Sequence, residues 1–394
     1  MPIMMTDTTE SYVDYIDDVA WQQLVGGLLR DDRAEIISRH ADEIFGGLGA
    51  GTHLYRVTGT AAAGRHRPVD WTMVIKVLTP NPSSFQSIST DQTSWDYWKR
   101  EWHIYQSPWQ QQLAGPFVAA RCLATGEGLT ETDEELAWIA MEDLHAIDHR
   151  PWPHRHFRDV ARHLGIFNGQ YLDNLTMPCD VWLGQNWLSG WTELAAPVME
   201  LLPTVVDYPI AGRIFTPDLI DDFTGLWSVR EKFYEALDQL PQTLCHNDVF
   251  PRNVFIGGDG HPDRSLAIDW AFCGPGAVGQ DLATLIGITQ AFRESRPERW
   301  DDLERDCLDG YAEGLRQAGW NGTNEVLVGY LLANALRVGM GSVAPLLSVT
   351  LTTEHQDLVT RAFKCSYDAF VANSAASMQF QQRRIRQAKA LLGL

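Results

Sequence analysis

The sequence predicts an α+β fold in two lobes: a small antiparallel β-sheet lobe carrying one helix, then a large, mainly helical lobe. Three observations lead to it. Strand-forming runs flank glycine-rich turns between residues 36 and 141, the pattern of a meander rather than of strand–helix–strand units. From about residue 145 onward apolar residues recur at three- and four-residue spacing, interrupted only by short strands such as VFI and SLAID. The change between the two patterns falls near Glu142, which places the lobes at 1–143 and 144–394.

The elements follow in order. Residues 12–30 (YVDYIDDVAWQQLVGGLLR) have helical apolar spacing and predict a leading amphipathic helix. EIFGGLGAGTHLYRVTGT supplies a strand, a glycine-rich turn and a second strand, and WTMVIKVL supplies a third, reached through a turn at RHRP. In TSWDYWKREWHIYQS, Trp95, Trp98, Trp102 and Tyr105 recur every three or four residues, which predicts a helix with these rings on one face. GPFVAARCLATG and LAWIAMEDL read as two further strands. Helical spacing then covers 158–175, 233–240, 281–292 and much of 300–394.

Composition narrows the function. Of 394 residues 45% are hydrophobic and 21% charged, enough to bury a sizeable core. The 51 acidic residues outnumber the 31 basic ones by 20, a field that repels nucleic acid and anionic membranes and favours cationic ligands. The same balance is also common on ordinary acidic protein surfaces, so charge names no partner. Six cysteines lie far apart without a CxxC pair, which argues against a zinc site or a disulfide framework and suits a reducing cytoplasm. MPIMMTDTTESYVDY has no basic region leading into an apolar run, so no signal peptide is expected. The longest apolar stretch, YLLANALRVGMGSVAPLLSVTL, is broken by Arg337 and Pro345 and reads as buried helix rather than membrane span. A cytoplasmic location is expected, with no nucleic-acid or membrane partner; the oligomeric state is open.

The chemistry is concentrated in LCHNDVFPRNVFIGG, residues 244–258. His246, Asp248 and Asn253 precede the apolar run Val254, Phe255 and Ile256, and Asp269 follows in SLAIDWAFCGPG. The turn GGDGHPD between VFI and LAI predicts a hairpin whose two ends meet, bringing Asn253 towards Asp269. An amide oxygen and a carboxylate are hard donors suited to magnesium. Asp248 is then left to face a hydroxyl and take its proton. Metal holders plus a group that orients the nucleophile are what phosphoryl transfer requires.

The residues HNDVFPRN and IDWAFCGPGAVGQDLA resemble the aminoglycoside phosphotransferase family, a branch of the protein-kinase-like superfamily that also holds choline and sugar kinases. The resemblance implies ATP and Mg2+ as cofactors. It pairs Lys76 of VIKVL with Glu101 on the tryptophan-rich helix, the lysine holding the α- and β-phosphates. In GGLGAGTHLYRV it makes Gly46, Gly47, Gly49 and Gly51 a loop over the phosphates. A strand after the glycines excludes a dinucleotide fold, and the lack of GK[ST] excludes a Walker loop. It sets the adenine at AMEDL, against the Glu142 carbonyl and the Leu144 amide, with Met141 beside the ring. His246 would brace the catalytic loop, and Asp281 would begin a helix and tie the loop's backbone down, in a position that also suits an N-cap.

Departures from protein kinases favour a small acceptor. Phe250 stands where they carry a lysine, Trp270 and Ala271 follow the metal aspartate, and eleven residues separate Asp269 from Asp281, too few for a peptide-docking segment. The acceptor is expected to be a small molecule bearing a hydroxyl, with a cationic aminoglycoside or other amino sugar leading and a neutral sugar, choline or a macrolide as alternatives. Trp182, Trp187 and Trp191 in VWLGQNWLSGWTEL are candidate acceptor contacts through cation–π stacking, or alternatively core residues. A non-catalytic nucleotide-binding module is the alternative of a different class. The resemblance spans about 36–290, strongest over 244–283.

Overall fold

The computed structural model describes residues 11–44, 51–63, 67–81, 88–108, 115–147, 150–173, 175–257, 263–352 and 354–394. Among them the strands run, in chain order, β1 (Glu35–Ile44), β2 (Thr52–Ala63), β3 (Arg67–Leu78), β4 (Phe117–Ala119), β5 (Cys122–Leu129), β6 (Glu135–Glu142), β7 (Gln242–Cys245), β8 (Val254–Ile256), β9 (Ser265–Ala267) and β10 (Gly274–Ala277). The chain divides into two compact units, one of residues 1–92, 97–110 and 120–146, the other of 93–96, 111–119 and 147–394.

The first unit is a five-stranded sheet in the order β1-β2-β3-β6-β5, antiparallel throughout. Alternation in β3 buries Trp71, Met73, Ile75 and Val77, which join Val57, Trp138 and Ala140 in a core closed by Trp21, Leu24 and Val25. Those three come from helix α1 (Asp18–Leu29). The predicted leading helix is therefore split: Tyr12–Tyr15 form a separate 3-10 turn. Asp17 stops the two from merging, because its carboxylate accepts from the Ala20 amide at 2.8 Å as an N-cap.

The tryptophan-rich helix is shorter than its pattern predicts. Helix α2 spans only Arg100–Gln106. Ahead of it the Trp98 amide donates to the Ser89 carbonyl, and Ser94 Oγ bonds the Asp96 carboxylate at 2.5 Å; such local bonds compete with the helical ladder. Trp95 is not on the helix face at all. It belongs to the second unit, where it meets Trp191 edge-on at 6.2 Å. GPFVAARCLATG also differs from expectation, because it forms two strands. β5 joins the five-stranded sheet, whereas β4 pairs in parallel with β9 in the second unit.

In that second unit β4-β9-β8 form a small sheet, β8 antiparallel to β9, and β7 pairs antiparallel with β10, Cys245 opposite Gly274. Around them are helix α3 (His154–Asp173), helix α4 (Trp187–Glu193) and the helices Pro217–Asp238, Trp300–Gln317, Thr323–Asn334 and Tyr367–Leu391. The predicted helical run at 233–240 is thus the end of a longer helix. Its start is set by Thr216, whose hydroxyl caps Leu219, and by Pro217 in the first turn. One helical run among the described residues, Thr323–Thr350, has the length and apolarity to cross a membrane, and 83% of its apolar window is packed inside the unit.

Candidate active site

The loop 246–253 leaves β7 and enters β8, and the loop 268–273 joins β9 to β10. Strand pairing sets both loops side by side, and the bond from the Ile268 amide to the Asn253 carbonyl (2.9 Å) joins their ends. Asn247 and Asp269 adopt positive φ, 65° and 62°, a conformation Asn and Asp tolerate better than most residues.

Asp281 holds the first loop from below. Fully buried, its Oδ1 accepts from the Asn247 amide at 2.6 Å, and its Oδ2 from the His246 amide at 3.1 Å and Asn168 Nδ2 at 3.2 Å. It is the first residue of its helix rather than the cap, which is Gln280, and its carboxylate is given to the loop. Burial pushes its pKa up to about 6, against the Asn247, Asn168 and His246 donors and the Cys245 thiol, which favour the charged form. His246 links the loops: Nε2 faces the Ile268 carbonyl at 3.0 Å, and Nδ1 accepts from the Asp248 amide at 3.2 Å. The tautomer with its proton on Nε2 satisfies both. Val249 is tied to Thr284 Oγ1, and Phe250 packs on Ile288, Val338 and Phe292.

Asp248 is 9% exposed. Asn253 Nδ2 donates to its Oδ2 at 2.7 Å and to its carbonyl at 3.0 Å. Both amide hydrogens thereby face Asp248, which turns the harder donor, the amide oxygen, away from it. Opposite Asn253 stands Arg337, whose Nη2 lies 3.5 Å from Asp248 Oδ1. Its guanidinium is 3.8 Å from the Trp191 ring centroid and 5.2 Å from that of Trp187. Burial lowers its pKa to about 10, with Asp248 opposing the shift; at neutral pH it stays a cation. Trp187 and Trp191 also pack on Phe272, at 5.4 and 5.8 Å. The predicted cation–π contact thus has a partner within the chain itself. Trp182 is buried elsewhere on the same segment.

In the first unit Lys76 Nζ donates to Glu101 Oε2 at 2.5 Å, and both side chains are buried. Register explains the meeting: Lys76 points from β3 away from Ile75 and Val77, whose side chains fill the α1-facing core. Gly51 has φ +57°, and a Cβ there would collide with the Thr79 carbonyl, so glycine is required. Gly47 and Gly49, with Gly46, lie outside the described residues. Met141 and Leu144 are buried, and Glu142 Oε1 accepts from the Arg121 amide at 2.7 Å, fixing the end of β6.

A family model, the APH phosphotransferase enzyme family, matches residues 109–320, more than half of the chain. The chain belongs to this phosphotransferase family. Solved structures similar to it include the amicoumacin kinase hAmiN in complex with AMP-PNP, Ca2+ and Ami. It is 14% identical, with 82% of this chain and 86% of that one covered and a TM-score of 0.50. Another is a microcompartment-associated aminopropanol kinase, 12% identical, with 94% and 98% covered and a TM-score of 0.55. At such identities the likeness is one of fold. No curated protein matches the chain in sequence.

The span matched to the phosphotransferase family holds Asp248, Asn253, Asp269 and Asp281, whereas Lys76, Glu101 and Arg337 lie outside it. Sequence reasoning missed Arg337 as a site residue. Its one signal was a lone arginine in an apolar helical run, a residue type seldom buried without a partner. It also missed Asn168, which donates to Asp281 and the Leu244 carbonyl and accepts from the Tyr311 hydroxyl at 2.7 Å.

Proposed function

We propose that this chain is an ATP- and magnesium-dependent phosphotransferase that moves the γ-phosphate to a hydroxyl of a small polar molecule. The observation that carries the reading is the grip on Asp248, one carboxylate oxygen bonded by Asn253 at 2.7 Å on a loop tied at His246 and Asn247 to Asp281. A carboxylate so fixed orients an acceptor hydroxyl and takes its proton as the oxygen attacks phosphorus. Lys76, steadied by Glu101, holds the α- and β-phosphates. Gly51, and by the family resemblance Gly47 and Gly49 outside the described residues, would offer amides to the phosphates, and Met141, Glu142 and Leu144 would take the adenine.

Asn253 and Asp269 are the residues that would hold magnesium. They fit it: both offer hard oxygens, and Asn253 turns its amide hydrogens to Asp248. Among the described residues no group of three or more His, Cys, Asp or Glu could hold a metal. Two protein donors leave the other positions to phosphate oxygens and water, which suits magnesium. When bound, the ion neutralises charge on the phosphate oxygens.

An amino-sugar acceptor leads: the fold relatives are kinases for amicoumacin and aminopropanol, the first solved with AMP-PNP and Ca2+, and the acidic charge balance is compatible with a cationic acceptor without naming it. A neutral sugar, choline and a macrolide are the other acceptors. The test is magnesium-dependent ADP release from ATP across aminoglycosides, amino sugars, neutral sugars, macrolides and choline. Acceptor-dependent release is expected. ATP binding without release for any acceptor would favour the non-catalytic nucleotide-binding reading.

A further inference from the structure

Arg337 is a buried cation with more donors than partners. It sits in the wide π-type turn Ala335–Gly339 and is 6% exposed. Its ion pair with Asp248 is long, 3.5 Å, and its Nε is buried with no hydrogen-bond partner among the described residues. A guanidinium carries five N–H donors in a fixed fork, and a buried charge is stable only when those donors are met. Here one face of the fork lies on Trp191, which satisfies no N–H. The Asp248 carboxylate is better supplied, since its other oxygen takes the short bond from Asn253. The unmet capacity beside Asp248 is therefore for an oxygen, not for a further cation.

We propose that Arg337 reads the acceptor. It receives an oxygen, hydroxyl or carboxylate, on the carbon next to the hydroxyl that Asp248 addresses, and it keeps an ammonium group out of that position. The inference rests on the reading of Asp248 as the acceptor-facing base. It refines the acceptor class: where the acceptor carries amino groups, they lie away from the reacting hydroxyl, which removes choline, whose ammonium is on the neighbouring carbon, from the acceptors named above. Attraction of an ammonium to Asp248 is offset by repulsion from Arg337, whereas an oxygen gains charge-assisted bonds from the fork.

Three probes share a three-carbon frame: glycerol and glycerate, which carry an oxygen on the carbon beside a hydroxyl, and 2-aminopropane-1,3-diol (aminopropanediol below), which carries an ammonium there beside either of its hydroxyls. Their binding to the full chain with magnesium and AMP-PNP is read by tryptophan fluorescence, since Trp187 and Trp191 flank the guanidinium. Glycerol and glycerate should bind about tenfold more tightly than aminopropanediol, and Arg337→Met should abolish that preference. Aminopropanediol binding the unaltered chain as tightly as the other two would overturn the proposal, as would an unchanged preference in Arg337→Met. Should Arg337→Met fail to fold, Arg337→Lys decides. It keeps the charge and loses the fork, so it should weaken glycerol and glycerate while aminopropanediol stays weak; equal weakening of all three overturns the idea. The readout requires no phosphate transfer, so a failure of turnover counts against the proposed function and not against this preference.

Discussion

Lys76 Nζ donates to Glu101 Oε2 at 2.5 Å, and neither side chain is more than 8% exposed. Removing one partner leaves the other as an uncompensated buried charge. Lys76→Met and Glu101→Leu should each cost about 3–5 kcal/mol of stability, and the double substitution should cost less than the sum. Urea unfolding of the four proteins measures this directly. Strict additivity would mean that the two charges are not coupled.

Asp281 makes a different demand. Asp281→Ala strips acceptors from the His246 and Asn247 amides, and two buried N–H groups left unpaired cost about 3 kcal/mol together. The loop that carries Asp248 should loosen with it. Hydrogen exchange should rise at 246–253 while the β1–β2–β3 meander keeps its protection; unchanged exchange at the loop would refute the anchoring role.

His163 ties stability to pH. Burial, then the neighbouring Arg162 charge, lowers its pKa to about 4, and Asp263 opposes the shift; its Nδ1 lies 2.9 Å from Ser265 Oγ. In the unfolded chain the value is near 6.5, so between these limits the unfolded state binds more protons. This contribution is intact above about pH 6.5 and is lost as pH falls towards 4, by up to about 3 kcal/mol. Denaturation midpoints should drop over that window in the natural chain and drop less in His163→Gln. Equal slopes in the two would remove His163 from the account.

How much of this could be read in the sequence depends on how local each feature is. His246, Asp248 and Asn253 fall within eight positions, and Asp269 follows across a single hairpin, so short-range pattern was enough to group them. Lys76 and Glu101 needed only a strand and the helix after it. Arg337 reaches Asp248 from a helical run far along the chain, a meeting made by tertiary packing that no spacing encodes. The division of GPFVAARCLATG was hidden for a related reason: strand propensity does not say which sheet will pair a residue. Trp95, Trp98 and Trp102 kept a helical period, yet bonds at Ser89 and Asp96 hold the chain out of the helix until Arg100.

The central claim is that Asp248 is the group that activates the acceptor, and single-turnover phosphate transfer tests it most directly. Natural chain and Asp248→Asn would be compared with labelled ATP, saturating magnesium and the acceptor found in the ADP-release panel. Transfer should be slower by a factor of about a hundred to ten thousand in the variant, with ATP affinity little changed. Transfer by Asp248→Asn at the natural rate would contradict it.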